Sequence, residues 1–222
     1  MNRKELIDSN GFRVKLNIHN PSARKTVIFS HGFLSNKNKY FLQSTAKVMA
    51  RRGYRCVRFN YKTEDISDRL LILDAVLNHI SKSSDSVGLV GSSLGGMVSL
   101  ITAVKPIIKS LVLLNPVYYQ DKVYRNYVAH HSLLKRLFNK KVGLEFFKYD
   151  LQSIVKRLNK PVLIITGGKD DIVDYRTMNG LYNDLKGEKR LVVLDDCGHS
   201  IWRPDHVRIT RREIIDWFRK TL

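Results

Sequence analysis

The chain has 222 residues, with 39 Lys and Arg against 20 Asp and Glu and a formal net charge of +19 at pH 7. That length suits a single α/β domain with a sizeable core, and no apolar run approaches the ~18 residues that suggest a membrane-spanning helix. The opening Met1-Asn2-Arg3-Lys4-Glu5-Leu6-Ile7-Asp8 is basic but lacks the apolar stretch and small-residue cleavage site of a secretory leader, so a cytoplasmic location is expected.

Phe12–His19 alternates apolar and polar residues and reads as an early edge strand. Thr26-Val27-Ile28-Phe29-Ser30 is short and β-branched, as a buried strand requires. Lys39–Arg52 reads as a helix stopped by Gly53, and Tyr54–Phe59 as the next strand. Ser67–Ser81 carries a helical stripe of Leu70, Leu71, Leu73, Val76, Leu77 and Ile80. A buried strand from Ser86 breaks at Gly91 and turns directly into a helix over Leu94–Val104, apolar nearly all round and therefore buried. Ile108–Leu114 is a strand ended by Asn115-Pro116, and Pro161–Thr166 is the next one. The roughly 45 residues between them exceed an ordinary connection. They contain Tyr118, Tyr119, Tyr124, Tyr127, Phe138, Phe146, Phe147 and Tyr149, and read as a short helical cap at about 116–160. Arg190–Leu194 is the last strand and Ile209–Leu222 a closing helix. Strands alternating with helices imply a mainly parallel sheet covered by helices.

The chemistry sits at the strand ends. Gly91-Ser92-Ser93-Leu94-Gly95 fits the Gly-x-Ser-x-Gly nucleophile elbow, with Ser93 at its centre. A serine on so sharp a turn needs neighbours without side chains, and the helix behind it offers N–H groups to a developing oxyanion. Thr166-Gly167-Gly168-Lys169-Asp170 follows a strand, and its carboxylate can orient a histidine. Asp171 is the rival, but the Gly167-x-x-Asp170-x-x-Val173 frame favours Asp170. Asp195-Asp196-Cys197-Gly198-His199 follows the last strand and supplies a general base, with Asp195 and Asp196 shaping the turn. Ser30-His31-Gly32-Phe33 follows an earlier strand; Gly32 lets the Phe33 N–H face the site and pair with that of Leu94 as an oxyanion hole. His31 itself reads as a loop support.

The order Ser93, Asp170, His199, with the His31-Gly32-Phe33 loop ahead of it, resembles that of the α/β-hydrolase-fold serine hydrolases, close to the small esterase and serine-aminopeptidase-like branch. The resemblance runs from the His31-Gly32-Phe33 loop to the final helix. It implies an α/β-hydrolase fold, a mostly parallel central sheet flanked by helices, and a carboxylesterase cleaving small or medium acyl esters without metal or organic cofactor. One departure is the Asn60–Asp65 loop, short and lacking the family's glycines, which implies a trimmed wall of the site.

Three other functions compete: an acyl thioesterase whose basic cap holds a phosphate-rich carrier, a short-peptide hydrolase, and a ligand-binding protein without turnover. The charge bears on the first. Lys122–Arg157 holds nine Lys and Arg against Glu145 and Asp150, and Arg51–Arg58 adds four arginines. Such a surface attracts anions, yet no nucleic-acid motif accompanies it, and a generally cationic surface is expected. His130 and His131 read as surface or cap residues. Cys56 reads as a small core residue, and with Cys197 it makes neither a metal pattern nor an expected disulfide.

Overall fold

The computed structural model describes residues 2–9, 11–130, 138–139 and 142–222; His131 lies outside them. The chain opens with β1 (Asn2–Ser9), β2 (Phe12–His19) and β3 (Lys25–Ser30), followed by α1 (Tyr40–Arg51) and β4 (Arg55–Arg58). Then come α2 (Ile66–Ser81), β5 (Ser86–Ser92), α3 (Leu94–Thr102) and β6 (Ile108–Leu114). The long connection carries α4 (Gln120–His130), a 3₁₀ turn at Gly143–Phe147 and α5 (Leu151–Lys156). β7 (Val162–Gly167), α6 (Met178–Asp184), β8 (Lys189–Leu194) and α7 (Pro204–Thr221) complete it.

The strands form one eight-stranded sheet in the order β1-β2-β4-β3-β5-β6-β7-β8. β2 is antiparallel to both neighbours, and every other pair from β4 to β8 is parallel. Strand side chains alternate between faces. Val27 and Phe29 pack with Phe41 and Met49 of α1 and Ile214 and Phe218 of α7, while Ile28 packs with Leu73 of α2 and Met97 of α3. The sheet is therefore covered on both sides, and its parallel strands read as continuous apolar runs.

Four elements differ from the sequence expectation. β2 is not the edge, because β1 pairs with it from Asn2↔His19 to Ser9↔Phe12. β1 buries Ile7 but leaves Leu6 half exposed among charged neighbours, so its composition hides a strand. Charges on an outer strand also discourage edge-to-edge pairing. The overlooked signal was the Asn10-Gly11 dipeptide, a hairpin cue, with Gly11 at φ +78°. α6 was not expected either; its Gly180 lowers helix propensity, but a Cβ there would lie 2.9 Å from the Tyr119 ring. Finally, α7 starts at Pro204 rather than Ile209, with proline in its first turn. Among the described residues no helix is long and apolar enough to cross a membrane.

The loops after β3, β5, β7 and β8 all leave the carboxyl ends of parallel strands. They therefore gather on one side of the sheet, where ligands bind in open α/β folds.

Candidate active site

Ser93 caps the start of α3 at φ 54°, ψ −120°, a conformation that side-chain-bearing residues rarely adopt. The surroundings over-determine it. Its N–H donates to Leu114 O at 2.9 Å, and its carbonyl accepts from Gly96 N at 2.8 Å and Val117 N at 3.3 Å. A Cβ on Gly91 would stand 2.7 Å from Gly95 O, and one on Gly95 would stand 2.6 Å from His31 O. Both clashes are with backbone, so glycine is required for the turn to close against the neighbouring loop.

His199 Nε2 lies 3.0 Å from Ser93 Oγ, and His199 Nδ1 lies 2.8 Å from Asp170 Oδ2. The carboxylate only accepts, so Nδ1–H donates to it and Nε2 is left to accept from the serine hydroxyl. The other oxygen of Asp170 accepts the N–H groups of Ile172 at 2.9 Å and Val173 at 2.8 Å. The Asp170 side chain is fully buried, whereas Asp171 is exposed. Asp196 binds Arg203 and accepts from His206 Nε2 at 2.8 Å, tying the histidine loop to the first turn of α7. Cys197 is buried beneath that loop.

The His31-Gly32-Phe33 loop packs against the elbow, where a Cβ on Gly32 would lie 3.1 Å from Ser93 Cβ. His31 is buried; its Nδ1–H donates to Gly32 O at 3.0 Å and its Nε2 accepts from the Tyr61 N–H at 3.2 Å. Burial, aided by the charge of Arg69, lowers its pKa to about 4. His31 is thus a neutral strut between two loops.

Four residues that sequence reasoning did not single out support this site. Arg69 of α2 is fully buried and donates to the carbonyls of Thr63, His31 and Gly32 at 3.0, 3.0 and 3.3 Å, and it pairs with Glu64. Its signal was a charge standing among Ile66, Leu73 and Val76 on the apolar stripe of α2. Glu64 and Tyr61 belong to the short loop expected to leave a trimmed wall. Tyr61 fills the space under His31, with ring centroids 5.1 Å apart, and its hydroxyl lies 2.7 Å from Ser30 Oγ. Asn115, at φ 44°, donates through Nδ2 to His199 O at 2.8 Å and accepts at Oδ1 from Gly167 N at 2.8 Å. One amide therefore joins the ends of β6 and β7 to the histidine loop. Its signal was an asparagine closing a buried strand.

Ser93, Leu94 and His199 open onto a cavity of about 200 Å³. Phe33, Val117 and Ile172 line it, together with Tyr127, Phe138 and Phe146 of the long connection. The aromatic rings interlock edge-on, with Phe33 5.3 Å from Phe138 and Phe138 5.1 Å from Phe146. The Asn126 side chain donates to Ile172 O at 3.2 Å and fastens α4 to the Asp170 loop.

The chain is similar in shape to the Pyrococcus furiosus esterase Pf2001, with a TM-score of 0.85 and 18% identity over 99% of this chain and 90% of that one. Est1E from Butyrivibrio proteoclasticus gives 0.83 and 18% over 98% of each chain. Dienelactone hydrolase from Anabaena variabilis gives 0.76 and 18% over 100% of this chain and 98% of that one. At these identities the likeness establishes the α/β-hydrolase fold. Residues 49–222 match the prolyl oligopeptidase family model, a span holding the elbow and the loops of Asp170 and His199. With that match over most of its length, the chain belongs to the prolyl oligopeptidase family, built on the α/β-hydrolase fold.

Proposed function

We propose that the protein is a serine carboxylesterase that cleaves small or medium acyl esters through an acyl-enzyme. One observation carries this: the unbroken chain of hydrogen-bond contacts from Asp170 through His199 to Ser93, opening onto an apolar cavity. Ser93 Oγ attacks the ester carbonyl while His199 Nε2 takes its proton. Asp170 holds the imidazole in the required tautomer and stabilises the cation that forms. The N–H groups of Phe33 and Leu94 receive the oxyanion, a contribution of ~3–4 kcal/mol per donor in comparable sites. His199 returns the proton to the leaving alkoxide, and water then repeats the sequence on the acyl-enzyme. The segment at about 116–160 acts as the cap that shapes the acyl pocket.

The cavity lining favours an ester over a peptide. Its described residues include no Asp or Glu to hold the α-ammonium of a short peptide, and an unpaired buried cation is costly. The +19 charge supports a second assignment, an acyl thioesterase whose carrier bears phosphates.

The test is turnover of p-nitrophenyl esters. Ser93→Ala is expected to lose activity and fluorophosphonate labelling, and Asp170→Asn to lose about 10⁴-fold in kcat. Asp171→Asn should stay within about twofold of wild type, as an exposed substitution should. Full activity in Ser93→Ala would remove the assignment, and an unlabelled Ser93 in wild type would favour a binding protein.

A further inference from the structure

The peptide between Gly32 and Phe33 is planar and trans, so its C=O and N–H point in opposite directions. Two donors hold the carbonyl: Arg69 Nη2 at 3.3 Å and His31 Nδ1 at 3.0 Å. The same guanidinium holds the preceding carbonyl of His31 through Nη1 at 3.0 Å and that of Thr63 through Nε at 3.0 Å. Its charge is paired with Glu64, and it stacks 4.5 Å from the Tyr61 ring centroid. The second carboxylate oxygen of Glu64 accepts the Leu34 N–H at 3.1 Å. Leu34 stands at φ 48°, an unfavourable value for a leucine that this bond helps to hold. Two successive peptides are thus pinned, one by its carbonyl and the next by its N–H.

We propose that Arg69, assisted by Glu64, is a positioning residue that aims the Phe33 N–H at the oxyanion site. This rests on the assignment of Ser93 as nucleophile. Fixing the carbonyl on the α2 side of the loop fixes the N–H on the opposite side. A cation on the carbonyl also polarises the peptide and makes its N–H a stronger donor. Stability alone does not call for this arrangement, because a well-packed apolar side chain often replaces a buried ion pair without loss.

Arg69→Lys keeps the charge but cannot bridge three carbonyls, and Arg69→Met removes the donors altogether. Each is compared with wild type for kcat and KM on p-nitrophenyl butyrate, Ki for an aryl trifluoromethyl ketone, and Tm. In the ketone adduct a bond forms from Ser93 Oγ to the carbonyl carbon. The π pair becomes the oxyanion and the serine proton passes to His199 Nε2, so binding requires the same N–H donors. Arg69→Lys is expected to lower kcat about 10- to 100-fold, with KM within about twofold. The ketone Ki should rise by the same factor as kcat/KM falls. An unchanged kcat, or a lowered kcat with unchanged ketone Ki, overturns the proposal. So does failure of both variants to fold, which would make Arg69 a purely structural residue. Wild type without ester turnover or Ser93 labelling removes the nucleophile assignment as well; active wild type with unaffected variants removes the positioning role alone.

Discussion

His31 shows how a residue beside the reacting atoms can serve by staying neutral. Burial and the Arg69 charge hold its pKa at about 4 in the folded protein, against an ordinary 6.5. Between those values the unfolded chain binds a proton that the folded chain does not. Stability from this site is therefore present above about pH 6.5 and falls as pH drops toward 4, by about 3 kcal/mol across the window. In urea titrations, the stability difference between wild type and His31→Gln should shrink steadily from pH 7 to pH 4.5. A difference that stays constant would show that His31 protonates alike in both states. At this scale Ser93, Asp170 and His199 were legible because each sits in a contiguous motif of glycines and acids. Arg69 and Asn115 were not, because their partners are backbone carbonyls and an N–H contributed by distant loops. Such partners leave no motif along the chain; the local trace is only a charge on an apolar stripe and an asparagine closing a buried strand.

Among the elements, the contact between α3 and the loop after β3 tightly constrains the site. A Cβ on Gly95 would lie 2.6 Å from His31 O, in rigid backbone. Gly95→Ala would have to push α3 away from the loop that carries Phe33. We expect a loss of about 2 kcal/mol or more in stability and a fall in kcat, read by thermal melting and ester turnover together. A variant that melts and turns over like wild type would mean that the loop yields freely. The apolar strands and the elbow helix were readable from composition, since burial on both faces demands continuous β-branched and apolar runs. β1 was hidden because an outer strand places most of its side chains in water. α6 was hidden because its Gly180 answers a neighbouring Tyr119 ring, not a local backbone preference.

Across the whole molecule the charge is the largest property without an assigned role. Many of its acids are already engaged in exposed ion pairs, such as Arg24–Asp85 and Lys220–Glu188, which contribute little to stability. The excess cations instead act at long range and are screened by salt. If they recruit substrate, raising NaCl from about 50 to 500 mM should lower kcat/KM for acyl-CoA thioesters by about tenfold or more, and leave neutral esters nearly unchanged. Equal responses in both series would exclude charge from substrate recognition. The sequence by itself determined most of the buried strands and the helices with a clear apolar stripe, the elbow, and the motifs that carry Ser93, Asp170 and His199. Each of these depends on neighbours within a few residues. Only the tertiary structure decided which chain segments meet. β4 and β3 are adjacent in the sheet, and α2, which follows β4, reaches back to the loop that follows β3, so a guanidinium far along the chain grips the Gly32 carbonyl. Likewise, β6 beside β7 lets Asn115 tie Gly167 to the His199 loop. These supports arise from strand order in space, because unpaired backbone groups must find partners wherever the fold supplies them.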